Sequence, residues 1–200
     1  MSHAVLTRHQ HRPQPAQPVV GDMALALGRV HEFCGRARRT LAVLAAGRVQ
    51  GPVFWIAPSW GADPLNPDGM REFAPPQNVT FLAPNRPEDL LWCMEECLRS
   101  GAVGLVVADL PGPPALTPVR RLHLAAESGC QAGPQLPLGL LLTPGHGGAQ
   151  GVESRWQLEP AHRPGTRAWG LSRLRARTDP AKVWRMQPGK TGLELVSPSA

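Results

Sequence analysis

Val30 to Val49, VHEFCGRARRTLAVLAAGRV, constrains the fold of this chain more than any other stretch. A short extended run through Val30 and Phe33 meets Cys34 and Gly35, and apolar residues then recur at Leu41, Leu44, Ala45 and Val49, the spacing of one helix face. Strand, glycine turn and helix in that order belong to an α/β sheet, where backbone N–H groups at the helix N-terminus converge on an anion. The stretch therefore predicts a nucleotide-type site, but a degenerate one. A phosphate loop of the form GxxxxGK(S/T) puts six residues between its first glycine and its hydroxyl residue, with a lysine to reach the outer phosphates. Here only four residues, Arg36, Ala37, Arg38 and Arg39, separate Gly35 from Thr40. The second glycine and the lysine are missing, and the shorter turn has fewer N–H groups to wrap a triphosphate.

Three arginines at the start of a helix oppose its macrodipole, at about 0.3 to 1 kcal/mol each. They are solvated, or paired with an internal carboxylate, or set against an anionic ligand or nucleic acid. If the pairing is internal, Arg38 or Arg39 folds into the vacated site and meets Asp109 or Glu32. The strand ending at Asp109 is expected beside the strand that feeds Gly35.

The chain has 200 residues, 42% of them hydrophobic and 18% charged, which suits one main globular domain with appendages, while 23 prolines and 21 glycines imply many loops. Four cysteines at irregular spacing fit a reduced compartment better than a disulfide framework. No apolar run is long enough for a membrane span. The net charge of +6 is unevenly placed: residues 151–200 carry 9 Lys or Arg against 4 Asp or Glu, whereas residues 1–150 carry 12 against 11. A basic C-terminal quarter suits nucleic acid or an acidic protein surface.

Residues 1–20 mix His, Gln, Pro and Arg without periodicity, as a disordered arm does, and His3, His9 and His11 lack the further ligands a metal site needs. PVFWIAP at 52–58 reads as a buried parallel strand, followed by a turn-rich loop, and NVTFLA at 78–83 as another strand. PEDLLWCMEECLRS at 87–100 is the clearest helix, with proline and acids in its first turn, Arg99 near its end and Gly101 beyond. Its Cys93 and Cys97 serve as packing residues. AVGLVVAD ends a central strand in Asp109, which is a metal-reaching carboxylate in nucleotide-binding sheets or else a cap or turn residue. Thr117 and Pro118 open a helix through Ser128 that places His123 at the core boundary, and LPLGLLL at 136–142 is the next strand. Such alternation gives a doubly wound parallel sheet.

After Thr143 a glycine-rich loop leads to four short segments, ESRWQLEP, WGLSRLRART, KVWRM and GLELV, the pattern of an antiparallel meander. In the second segment Trp169, Leu171, Arg173, Arg175 and Arg177 share one parity, which predicts one basic strand face. The expected division is a disordered arm at 1–20, an α/β core at 21–145, a basic antiparallel β extension at 146–196 and a tail at 197–200. A hydrolase built on His146 or His162 finds no GxSxG nucleophile elbow.

Several of these stretches together resemble the RecA-like recombinases, and more closely the ImuA family, truncated RecA relatives encoded with damage-induced mutagenesis polymerases. The resemblance covers about Val30 to Leu195. It rests on EFCGRARRTL, GADPLNPDGM, DLLWCMEECLRSGAVGLVVADLPGPPALTPVRRLHLAAESG and GGAQGVESRWQLEP, the last lying where RecA proteins carry a glycine-rich DNA-binding loop. It implies a RecA-like, mostly parallel twisted sheet flanked by helices with a C-terminal antiparallel extension. The degenerate nucleotide site would comprise Gly35, Arg36, Arg38, Arg39, Thr40 and Asp109. DNA or partner binding would fall to Gly147, Gly148, Arg173, Arg175, Arg177 and Arg185. Pro58, Ser59 and Trp60 stand where such ATPases place a catalytic glutamate, so ATP hydrolysis does not carry over and no cofactor or metal is expected. The implied role is that of a cytoplasmic, nucleoid-associated adaptor in SOS-induced error-prone translesion synthesis. It would bind the polymerase-like protein ImuB, act indirectly with an error-prone replicative-type DNA polymerase, and contact RecA or DNA. A weak nucleotide-binding ATPase of RecA-like type is the alternative.

Overall fold

The computed structural model describes residues 15–61, 64–190 and 192–197. In chain order the strands are β1 (Ala16–Val20), β2 (Met23–Ala26), β3 (Val30–Cys34), β4 (Val53–Ile56), β5 (Val79–Leu82), β6 (Leu105–Asp109), β7 (Leu138–Leu142), β8 (Ser154–Pro160), β9 (Trp169–Ala176), β10 (Lys182–Gly189) and β11 (Gly192–Val196). The helices are α1 (Arg38–Ala46), α2 (Pro67–Met70), α3 (Pro87–Ser100) and α4 (Leu116–Ala132). Nine strands form one sheet in the order β11-β10-β9-β8-β3-β7-β6-β4-β5. From β5 to β8 every neighbouring pair is parallel, and β9, β10 and β11 continue the sheet antiparallel.

The central strands are apolar on both faces because both faces are covered. Phe33, Trp55, Val107 and Leu140 point to the side packed by α1, while Ile56, Val106, Ala108 and Leu141 meet α3 and α4. The clearest sequence helix appears as expected: α3 has Pro87 in its first turn, Glu88 and Asp89 there, Arg99 in the last turn and Gly101 in the left-handed region as its cap. By contrast α1 stops at Ala46, short of Val49. A Cβ on Gly47 would lie 1.8 Å from the Phe73 carbonyl oxygen, so the chain after α2 closes over the helix end. The last helix starts at Leu116 with Ala115 as its cap, not at Thr117.

Three other expectations change. Residues 16–20 are not a disordered arm: Ala16–Val20 pairs antiparallel with Met23–Ala26, and Val19, Val20, Met23 and Leu25 are buried in the core on the α1 side. His3, His9 and His11 lie outside the described residues, as do 198–200 of the tail. The segment 146–196 forms the expected antiparallel meander, β8 pairing with β9, β9 with β10 and β10 with β11, and it continues the main sheet because β8 also lies parallel to β3. The strand ending at Asp109 is not beside β3, because β7 lies between them, with Leu142 opposite both Phe33 and Asp109.

The third change concerns the basic face. Trp156 pairs with Arg173 but Arg155 pairs with Arg175, so Leu174 is an extra residue in β9. Such a bulge breaks the parity that a regular strand would keep. Arg173, ahead of the bulge, keeps the inward parity of Trp169 and Leu171, with its guanidinium 5.6 Å from the ring centres of both Trp156 and Trp184, which stack at 5.7 Å, and it is Arg175 that the bulge turns to the other face. Arg175 and Arg185 are on the opposite, polar face with Gln157 and Ser172. Arg177 lies past the strand end, 3.8 Å from Glu153. The three arginines at 173, 175 and 177 do not share a face.

Candidate degenerate nucleotide site

The carboxyl ends of the parallel strands are where ligands bind in open α/β sheets. Gly35 makes its turn there with φ of +87°, and a Cβ on it would be 2.5 Å from the Leu158 carbonyl oxygen, so only glycine fits against β8. That close packing also fills the anion cradle. Gly35 N–H donates to Gly145 O at 2.9 Å, Ala37 N–H to Leu158 O at 3.0 Å and Arg38 N–H to Gly35 O at 3.3 Å. Arg36 N–H donates to a carboxylate oxygen of Glu159 at 3.2 Å. Four N–H groups that could hold phosphate oxygens are thus engaged by the chain itself, and Glu159 supplies the anion at the helix N-terminus. Gln157 fixes that carboxylate from the side at 3.1 Å.

Asp109 ends β6 with its side chain 5% exposed. Arg39 Nε donates to one of its oxygens at 2.5 Å, and an Arg38 nitrogen lies 3.7 Å from the other. The expected internal pairing is therefore present, and it uses both arginines. Long side chains make it possible across the intervening β7, a gap of two strand spacings, roughly 9 to 10 Å. Arg36 stays exposed, and Thr40 is half-buried in the first turn of α1. A double-mutant cycle between Arg39 and Asp109 is expected to give a coupling of about 1 to 3 kcal/mol, measured by urea unfolding. The pair is half-open to water on the Arg39 side, which keeps the value below that of a dry pair.

Glu32, the other candidate acid, takes different partners. It is fully buried in β3. Its carboxylate is ion-paired with Arg155 and accepts from Thr143 Oγ1 at 2.6 Å, Gly148 N–H at 2.8 Å and Ala149 N–H at 3.0 Å. Gly147 and Gly148 therefore face inwards. A Cβ on Gly147 would be 2.7 Å from Glu32 Oε1, so this glycine is needed for the loop to close over a carboxylate, and the N–H groups of Gly148 and Ala149 are not presented to DNA.

On the other side of β3, His31 is 2% exposed in a closed chain of hydrogen bonds. Ala26 O can only accept, so His31 Nε2–H donates to it at 3.0 Å and Nδ1 accepts from Ser154 O–H at 2.7 Å. Trp156 Nε1–H donates to the same hydroxyl at 2.8 Å. Burial holds the His31 pKa down at about 4, so the ring is neutral at pH 7. Ser154 is fully engaged in this network. Burial also raises all four thiols, Cys34 to about 12 and Cys97 to about 11, so none is a thiolate nucleophile at neutral pH. His162 Nδ1 accepts from Ala168 N–H and its ring meets Trp169 edge-on, a packing role. Among the described residues no three His, Cys, Asp or Glu side chains gather as a metal site. No helix among them is long and apolar enough to cross a membrane.

Sequence reasoning named Asp109, Arg38 and Arg39 and missed Glu159 and Arg155, which reach the site from β8. Their signal was alternation: Arg155, Gln157 and Glu159 share one face of a strand whose other face is Trp156 and Leu158. No known family model matches the chain, and no curated protein matches it.

Proposed function

We propose that this protein is a non-catalytic accessory protein in damage-induced, error-prone translesion DNA synthesis, an adaptor built on a RecA-like, nucleotide-type sheet that holds a polymerase-like protein of the ImuB kind. The observation that carries the non-catalytic reading is the filled cradle: Gly35, Arg36, Ala37 and Arg38 N–H groups are all engaged, and Asp109 is bound by Arg39. The Arg39 guanidinium already neutralises Asp109, so a metal cation at the same carboxylate would meet a positive charge beside it. The assignment to translesion synthesis rests on the resemblance of residues 30–195 to ImuA proteins.

Size-exclusion chromatography of the chain with an ImuB-type protein is expected to give a common peak, and elution as separate species with and without DNA contradicts the adaptor reading. Substitutions on the two faces of β9 and β10 separate binding from folding. Replacing Arg175 and Arg185 together by Gln should leave Tm close to that of the parent and weaken any salt-dependent DNA binding. The salt slope should fall by about 0.7 to 0.9 for each phosphate that is no longer neutralised. Arg173→Gln should instead lower Tm, because its guanidinium is stacked on Trp156 and Trp184 and its side chain is only 13% exposed.

A further inference from the structure

Beside the filled cradle a cleft of about 630 Å³ remains open at the ends of β4, β5 and β6. Its walls are apolar and aromatic, with Trp55, Leu65, Leu110, Trp60 and Phe81 among them. The last two are about half exposed, at 49% and 50%, although large apolar side chains are normally covered. The volume falls within the roughly 300 to 1,000 Å³ of small-molecule sites, which are mainly apolar with a few polar groups that fix orientation.

Among the described residues the charged side chains that line this cleft are Arg38, Arg39 and Asp109. Arg39 holds Asp109 at 2.5 Å, so that pair is closed. Arg38 is loosely held: its nearest partners are Gly35 O at 3.4 Å and Asp109 at 3.7 Å, and its Nε is buried with no hydrogen-bond partner among the described residues. A guanidinium against apolar walls gains most from an anion that displaces water around it. One loosely held guanidinium calls for one anionic group. A polyphosphate is disfavoured, since the N–H groups that would share its charge are already taken.

We propose that this cleft binds a small organic monoanion, a carboxylate on an aromatic or apolar body, whose charge pairs with Arg38 while its body rests against Trp60, Phe81 and Leu65. Asp109 does not repel such a ligand because Arg39 neutralises it. The site is independent of the accessory role proposed above, and its ligand is not a nucleotide.

The test uses two dyes of one shape and different charge on the full chain: 1-anilinonaphthalene-8-sulfonate, an aromatic monoanion, and neutral N-phenyl-1-naphthylamine. The anionic dye is expected to bind saturably at one site. Arg38→Gln should weaken it by about tenfold, the size of one charge-assisted hydrogen bond, and leave the neutral dye nearly unaffected. Ala57→Phe, which places a ring in the cleft, should weaken both. Thermal melts show which variants are folded, and Arg38→Gln decides the matter if Ala57→Phe is not. Absence of saturable binding to the parent chain overturns the proposal, and so does an anionic-dye affinity unchanged by Arg38→Gln.

Discussion

Glu32→Ala is expected to lower the unfolding free energy by about 3 to 5 kcal/mol, the range for removing one partner of a dry ion pair. The substitution strands Arg155, 18% exposed, and leaves Thr143 and the N–H groups of Gly148 and Ala149 without their acceptor. The loop cannot easily recover, since Arg155 also donates to Ala149 O at 2.8 Å and so ties β8 to the same turn. Urea unfolding measures the loss. Replacing both partners, Glu32→Leu with Arg155→Met, should restore part of it, because no buried charge is then left alone. A loss below about 1 kcal/mol for Glu32→Ala would mean that water reaches this carboxylate and that the loop is not built around it.

The second large effect is acid sensitivity from His31. In the unfolded chain it takes a proton near the ordinary value of 6.5, and in the folded chain burial delays protonation to about 4. Between those values the unfolded state binds more protons, so folding stability falls as pH falls, and above 6.5 this residue contributes no pH dependence. The loss across the window is about 3 kcal/mol, roughly two and a half pH units at about 1.4 kcal/mol each. His123, also shifted down by burial, adds in the same direction. Urea unfolding at about pH 7 and about pH 4.5, compared with His31→Gln, isolates the contribution, since carboxylate effects are common to both chains. The variant should lose less on acidification than the parent. An equal loss in both would show that His31 already carries a proton in the fold.

The sequence revealed most where one residue set one local conformation. Strand, Gly35 and helix followed from apolar spacing, and α3 could be read from its proline, acids and Gly101. Asp109 with Arg38 and Arg39 was legible for an electrostatic reason: cations at a helix N-terminus need an acid, and the sheet offered few. What escaped were features set by contacts distant in sequence. Nothing in AQPVVGDMALA distinguishes a loose arm from a hairpin until Met23 and Leu25 find the core beneath them. The bulge at Leu174 is invisible in β9 alone, because it exists only in the pairing with β8, and it put Arg175 on the face opposite Arg173, whose guanidinium lies on two tryptophans. The glycines of the 144–151 loop suggested exposed backbone for DNA. The small size of Gly147 serves instead to let the loop approach Glu32.

Titration with Mg-ATP tests most directly whether the chain's own groups occupy the turn after β3, where a nucleotide would otherwise bind. A ligand that binds the folded state alone, present at about 100 times its Kd, stabilises by about 2.7 kcal/mol, which a thermal melt resolves easily. With the N–H groups of Gly35, Arg36, Ala37 and Arg38 engaged and Asp109 held by Arg39, no saturable change in Tm is expected at millimolar Mg-ATP. A saturable rise in Tm that is lost in Asp109→Ala would show that Arg39 releases the carboxylate to a metal, and would contradict a site filled by its own chain.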